Sequence, residues 1–234
     1  MDITNRIIEY IKENRVSTTE VADALGKTGA MKGIGAICNG KFQVGTVRCI
    51  FAANNSNYQV HEQIKDVKAH EVVIVFTDNC DDRAVLGGLV SKFLILYKRA
   101  EALVIDGLVR DVAAIRREGF PVWSKGVTPI GCFNSESEPF DQAKRDKILA
   151  NYEGGVAVCD DGGVVVIPPA KLTEEMLDRL RRIEMQEDIW FFCLDHLKWD
   201  TKKIVCDAAY LHETDLLSSI HLKQLEDLSK PLDK

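Results

Sequence analysis

The stretch that most constrains this chain is Ala102–Asp111, which reads Ala-Leu-Val-Ile-Asp-Gly-Leu-Val-Arg-Asp. Leu103-Val104-Ile105 is a short apolar run, β-branched enough for a buried strand. Asp106-Gly107 has the chemistry of a turn and is expected to break it. Arg110 and Asp111 then precede Val112-Ala113-Ala114-Ile115-Arg116-Arg117, which has helical character. A cation and a carboxylate therefore stand side by side where a strand gives way to a helix, and in α/β architectures ligands collect at such strand ends. There Arg110 can fork onto a carboxylate and Asp111 can ligate a hard cation such as magnesium. Taken alone, the dipeptide reads more simply: Asp111 caps the following helix and Arg110 is a surface charge.

The flanking chain supplies more strands and helices. Ile3, Ile7, Ile8 and Ile11 share one face of a short amphipathic helix ending near Glu13. Ser17-Thr18-Thr19-Glu20 is a capping sequence for a second helix through Leu25, with Gly26 ending it. Gly33, Gly35 and Gly40 follow in a loop that lacks the lysine-serine ending of a phosphate loop, so turn formation is expected. Phe42–Ala52 and Val72–Phe76 read as strands, Tyr58–Val67 as a helix. His61 and His70 have no clustered partner in sequence and are read as surface histidines. Asp78-Asn79-Cys80-Asp81-Asp82 forms a polar loop before Gly87-Gly88, which opens a helix through Lys98. Such a corner leaves free N–H groups able to hold an anion, or simply permits a tight turn.

Beyond the central stretch, Pro121-Val122-Trp123 is a further short strand, and Ser135–Arg145 is charged and expected to be exposed. Gly155–Val158 and Gly163–Ile167 read as two strands joined by Asp160-Asp161-Gly162, whose acids are expected to be solvated. Thr173 caps a helix from Glu174 to about Glu187 with Met176, Leu177, Leu180 and Ile183 on one side. Leu217, Ile220, Gln224 and Leu228 mark one more. His212-Glu213 and Asp195-His196 match no zinc spacing.

The 234 residues suffice for one substantial core, with or without an appendage. The net charge of −6, from 30 basic and 36 acidic residues with no long basic run, gives no footprint for nucleic acid. Seven scattered cysteines, an odd number without a Cys-x-x-Cys pair, argue against a disulfide frame and a thiolate zinc site, and for buried thiols in a reducing compartment. The first residues do not read as a secretory signal, and no run approaches the roughly 18 apolar residues of a membrane span. The cytoplasm is the expected location.

Asp106-Gly107-Leu108-Val109-Arg110-Asp111, followed by Gly119-Phe120-Pro121-Val122-Trp123-Ser124-Lys125-Gly126-Val127-Thr128-Pro129, resembles the family that contains 4-hydroxy-4-methyl-2-oxoglutarate aldolase and the regulator of ribonuclease activity A (RraA). Val16-Ser17-Thr18 with Val21–Gly26 is similar to the family's N-terminal signature, and Asp160–Pro168 to its C-terminal strand motif. The likeness runs from about Val16 to Glu187. It implies an α/β fold of the layered β/β/α swivelling type over residues 1–189, and assembly into homotrimers or hexamers with the active site between subunits; residues 190–234 lie outside the likeness and are read from their own pattern as a helical extension. It also implies a divalent-metal-dependent lyase (magnesium or manganese) acting on a 2-oxo acid by retro-aldol cleavage to pyruvate or by oxaloacetate decarboxylation. In that reading Arg110 and Asp111 are catalytic, Asp111 is the metal ligand, and Gly87, Gly88, Leu89 and Val90 with Arg110 bind substrate. The family's aldolases carry an acidic residue at the helix-opening corner, where this chain has Leu89. Asp78, Asp81, Asp82, or Glu184 or Glu187 of another subunit are the candidates to replace it. The alternative is a non-catalytic regulator that acts by protein contact.

Overall fold

The computed structural model describes residues 2–230. The final residues of the extension expected at 190–234 therefore lie outside the described part. Two compact units divide the chain, Met1–Leu172 and Thr173–Lys234.

The first unit is built on a mixed sheet. Its strands are β1 (Gly35–Ala36), β2 (Gln43–Ala53), β3 (Glu71–Asp78), β4 (Ala84–Leu86), β5 (Ala102–Val109), β6 (Val122–Val127), β7 (Val156–Asp160) and β8 (Gly163–Ile167). They run in the order β1-β6-β5-β3-β2-β7-β8, with β4 pairing β5 off that path. The pairs β2/β3, β3/β5, β5/β6 and β4/β5 are parallel, whereas β1/β6, β2/β7 and β7/β8 are antiparallel. Strands buried on both faces read as continuous apolar runs rather than as alternation, which is why Val72–Phe76 and Leu103–Ile105 stand out in the sequence. Successive side chains still go to opposite sides. Ile50, Val73, Val75, Leu103 and Ile105 join one cluster, with Val60, Leu94 and Ile115 of the helices α3 (Tyr58–Gln63), α4 (Gly88–Lys92, continued by a wider turn over Phe93–Tyr97) and α5 (Val112–Glu118). Cys49, Phe51, Ile74, Phe76, Val104 and Trp123 join the other, with Ala157, Val164 and Val166 of β7 and β8. Helices α3, α4 and α5 thus cover one face, and the β7–β8 ribbon packs on the other, the β/β/α layering.

At Asp106-Gly107 the chain differs from the expected turn. β5 runs straight through it. Ile105 pairs with Ser124 and Leu108 with Gly126, so β5 spends three residues where β6 spends two; the turn-like dipeptide is absorbed as a bulge. Tertiary contacts hold it there: the Thr77 hydroxyl donates to the Asp106 carbonyl at 2.7 Å, Lys125 meets the Asp106 carboxylate at 2.6 Å, and a Cβ on Gly107 would lie 2.8 Å from Thr77.

The acids joining β7 to β8 do more than meet solvent: Asp161 is exposed as expected and Asp160 half-buried, and both accept hydrogen bonds from the protein. Asp160 accepts from the Thr18 amide (2.8 Å) and hydroxyl (2.7 Å), and Asp161 from the Gly40 amide (2.9 Å). Asp160 so fastens α2 (Thr18–Ala24), whose own start is closed by the Ser17/Glu20 capping box, to the β7–β8 ribbon. A hydrogen bond to a charged group contributes about 1.5–3 kcal/mol. Thr18→Val is expected to lower the unfolding free energy by about 1.5–2 kcal/mol in urea titration, with α2 content unchanged because Ser17 still caps it.

Another helix, α6 (Gln142–Tyr152), begins inside the stretch Ser135–Arg145 expected to be merely exposed. Asp141 caps it at 2.8 Å from the Lys144 amide, and only Ile148, Leu149 and Tyr152 reach the core. The N-terminal helix α1 spans Ile3–Asn14.

In the second unit, α7 (Glu174–Asp195) is one uninterrupted helix, so the boundary expected at 189/190 falls inside it. Ile189 and Cys193 of α7 pack with Ile204, Tyr210 and Leu217 in a small core, flanked by Leu225 and Leu228 of α8 (Ser219–Ser229). The Arg182 guanidinium donates to the carbonyls of Leu228 and Lys230, capping the end of α8. No helix among the described residues is long and apolar enough to cross a membrane.

Candidate functional site

Arg110 and Asp111 lie where β5 hands over to α5, and β4 brings the double glycine alongside. The Arg110 amide donates to the Leu86 carbonyl at 3.1 Å, which places Gly87-Gly88 beside the dipeptide. Asp111 is in the left-handed region (φ 59°, ψ 32°). A non-glycine residue held there costs on the order of 1 kcal/mol or more and points to a local demand. Its carbonyl accepts from the Ala114 and Ile115 amides at 2.9 and 3.1 Å, which starts α5. Its side chain does not cap α5, contrary to the simpler reading of the dipeptide. Oδ2 reaches across to the start of α4 and accepts from the Gly88 amide at 3.0 Å.

That bond alters the expected anion corner. Four first-turn amides of a helix have no partner within the helix; at α4 the Gly88 amide is taken by Asp111, and those of Leu89 and Val90 are among the three that remain. The Leu89 side chain is 82% exposed and that of Val90 is buried, so these two contribute backbone rather than side-chain chemistry.

Two glycines form the slot that holds Arg110. A Cβ on Gly87 would lie 2.8 Å from Arg110 Cγ and 2.4 Å from Asp111 Oδ2; one on Gly131 would lie 2.4 Å from Arg110 Nη1. Gly87 is in extended backbone (φ −149°), so close approach, not left-handed geometry, is what requires glycine there. Both charged side chains are about half exposed, with Nε and Oδ2 3.9 Å apart. At that distance and exposure their mutual attraction contributes little, and both remain available to a ligand.

They open into a pocket of about 170 Å³ lined by Asn57, His61, Leu86, Gly87, Arg110, Asp111 and Asn134 among others. Drug-sized ligands occupy roughly 300–1,000 Å³, so this volume suits a molecule of only a few heavy atoms. Asn57 is 8% exposed, its amide nitrogen donates to the Val85 carbonyl at 3.3 Å, and its Oδ1 is buried without a partner. An unpaired buried acceptor is costly, and here it borders the pocket. Of the two histidines expected at the surface, His61 lines this pocket; His70 lies at the far end of β3, 3.3 Å from Glu101. Asn57, Asn134 and Gly131 had no functional mark in the sequence, and His61 on α3 was read only as a surface histidine; they converge from about 20 to 55 residues away in the chain.

One carboxylate, Asp111, lines the pocket. Asp78 is paired with Lys144 at 2.8 Å and Asp82 lies 3.9 Å from Arg83. Among the described residues there is no cluster of three or more His, Cys, Asp or Glu able to hold a metal. The donor set that is present, one carboxylate with an oxygen not used by Gly88, suits magnesium, which is commonly held through one or two carboxylates and otherwise by water and substrate oxygens. A larger groove of about 370 Å³, bordered by Arg15, Lys41 and Asp160, is not a comparable centre, because its two carboxylates are already bonded to Thr18 and Gly40.

A family profile described as RraA-like, Aldolase/RraA, matches residues 18–166. The chain belongs to the RraA-like family. Among curated relatives, it is 24% identical over 197 residues to a Halalkalibacterium halodurans protein named "Putative 4-hydroxy-4-methyl-2-oxoglutarate aldolase", covering 77% of this chain and 86% of that one. It is also 24% identical over 191 residues to protein DlpA of Legionella pneumophila, covering 79% of this chain but spanning only 31% of that relative's length. Among solved structures, an uncharacterized Pseudomonas syringae protein superposes with a TM-score of 0.67 at 22% identity, covering 83% of this chain and 91% of the other. Streptomyces coelicolor RraAS2, described as an unusual member of the RNase ES inhibitor RraA family, gives 0.63 at 22% identity, covering 79% and 94%. The RraA-like fold read from the sequence is therefore the fold of this chain.

Proposed function

We propose that this RraA-like protein is a divalent-metal-dependent lyase acting on a small 2-oxo acid, releasing pyruvate by retro-aldol cleavage or by decarboxylation of oxaloacetate. The observation that carries the reading is the half-exposed Arg110–Asp111 pair facing a pocket of about 170 Å³ against the double-glycine corner. The Leu89 and Val90 amides orient the substrate carboxylate. The Arg110 guanidinium polarises the keto oxygen and offsets the enolate charge as it develops, a preorganised donor of the kind that contributes most to such steps. Asp111, fixed by Gly88, holds magnesium or manganese, which when bound supplies Lewis-acid stabilisation of the same charge. Asn57 Oδ1 accepts a hydrogen bond from a substrate hydroxyl or a bound water.

Leu89, Phe93, Leu96 and Tyr97 are exposed on one side of the helical run that begins at the site. A contiguous apolar face of this kind suits a protein contact. In the proposed assembly, a homotrimer or hexamer, a second copy covers it and supplies the carboxylate the pocket lacks. The free thiols fit the cytoplasm as the working compartment.

The single carboxylate is what favours the other reading, a non-catalytic regulator acting by protein contact. Isothermal calorimetry with magnesium and oxalate, which mimics an enolate, separates the two. The enzyme is expected to bind the pair below millimolar concentration; no heat at millimolar oxalate would favour the regulator.

A further inference from the structure

Gly131, one wall of the slot that holds Arg110, belongs to a segment with little regular structure of its own. Two main-chain bonds dock that segment on β4: the Ala84 amide donates to the Ile130 carbonyl at 2.8 Å, and the Cys132 amide to the Ala84 carbonyl at 3.0 Å. Between them the Gly131 carbonyl is held by a side chain, accepting from Arg83 Nη1 at 3.0 Å. Glycine has the widest backbone freedom of any residue, so the residue that leaves room for Arg110 is also the one whose peptide most needs fixing. The same Arg83 guanidinium lies over the Phe133 ring, 4.4 Å from its centre, a cation–π contact. Phe133 in turn is bonded to the loop that carries Asn57: its amide donates to the Asn55 carbonyl at 2.8 Å, and its carbonyl accepts from the Asn57 amide at 3.0 Å. One guanidinium therefore grips residues 131 and 133. Through them it holds the wall behind Arg110 and the loop bearing the unpaired Asn57 oxygen.

Arg83 does not itself border the pocket. Its side chain is one-quarter exposed, and its ion pair with the exposed Asp82 is long at 3.9 Å, so that pair does little to place it. The contacts that place it use the planar fork, which stacks by its face and donates by its edge, a combination lysine lacks.

We propose that Arg83 is a positioning residue for the site: by holding the Gly131 carbonyl and the Phe133 ring it sets where the Arg110 guanidinium stands. It reaches neither substrate nor metal and acts through Arg110. Its effect on turnover rests on the lyase function proposed above; its grip on Arg110 does not.

The test compares Arg83→Met, which keeps the stem and loses the donors and the charge, with Arg83→Lys, which keeps the charge. Each is made alone and combined with Arg110→Ala. Arg83→Met is expected to lower the rate of pyruvate release in magnesium roughly tenfold, less than the 100-fold or so that a displacement of about 1 Å can cause. Affinity for magnesium and oxalate should fall less than the rate, since Asp111 and the Leu89 and Val90 amides are untouched. Arg83→Lys recovers part of the loss. In the Arg110→Ala background neither Arg83 variant changes the residual rate, because the effects of residues that act as a unit do not add. A second readout needs no turnover. The Arg110 Nε–H signal in a nitrogen–proton NMR spectrum, identified by its loss in Arg110→Lys, is expected to move in Arg83→Met and to move less in Arg83→Lys. An Arg83→Met rate equal to wild type, a loss by the same factor with and without Arg110, or an Arg110 signal that stays in place overturns the proposal. A wild-type chain that neither binds magnesium with oxalate nor releases pyruvate counts against the lyase reading, and the NMR signal then decides the role of Arg83 by itself.

Discussion

Arg110→Ala is expected to cut pyruvate release from a 2-oxo acid substrate, measured with magnesium or manganese present, by about 100- to 1,000-fold. Removing one preorganised donor from a developing oxyanion costs that much in other active sites, and among the described residues no other lysine or arginine lines this pocket to take over. The fold should tolerate the change. Arg110 is about half exposed, and its ion pair with Asp111 is a long one at 3.9 Å, so the melting temperature should stay close to that of the wild type. Arg110→Lys distinguishes charge from geometry: a lysine keeps the charge but loses the planar fork, and is expected to recover only part of the loss. Turnover unchanged in Arg110→Ala would remove the guanidinium from the chemistry and the lyase assignment with it.

What the sequence discloses about this molecule follows the range of the forces involved. The doubly buried strands are legible because burial on both faces leaves continuous apolar runs at Val72–Phe76 and Leu103–Ile105. Helices α1 and α2 are legible because capping and amphipathic spacing are local. Asp106-Gly107 misleads because its turn chemistry is overridden by Thr77 and Lys125, groups about 20 to 30 residues away. Helix α6 is hard to see because only Ile148, Leu149 and Tyr152 of its residues pack inward. At the site, Arg110, Asp111 and the double glycine are legible as neighbours in short motifs. Asn57 and His61 are not, since what distinguishes them, a buried unpaired oxygen and a place on the pocket wall, exists only after β2, β4 and β5 have assembled. The spending of the Gly88 amide on Asp111 was equally out of reach, because an aspartate preceding a helix reads locally as that helix's own cap.

Gly131→Ala is the variant that separates the position of Arg110 from its presence. The added Cβ would stand 2.4 Å from Nη1 and 2.9 Å from Cζ of Arg110, closer than non-bonded atoms approach. The atoms it meets are the far end of a flexible side chain that is about half exposed, so the guanidinium swings aside and the backbone need not move. Gly131 is not among the residues with positive φ, so alanine adds no backbone strain. The stability cost should therefore stay within about 1 kcal/mol. Catalysis should respond far more, because a reacting group misplaced by about 1 Å can cost on the order of 100-fold. The expected pattern is a pyruvate-release rate down by about 100-fold, with urea unfolding nearly superimposable on the wild type. Affinity for magnesium and oxalate should fall less than the rate, since Asp111 and the Leu89 and Val90 amides are untouched by the new methyl group. Gly87→Ala is the contrasting case. Its Cβ meets Asp111 Oδ2 at 2.4 Å as well as Arg110 Cγ, and a carboxylate tied to the start of α4 has less freedom to yield, so that variant should lose both binding and rate. If Gly131→Ala keeps full activity, the slot between the two glycines does not set where the guanidinium acts, and a role for Arg110 would have to be sought in a different orientation.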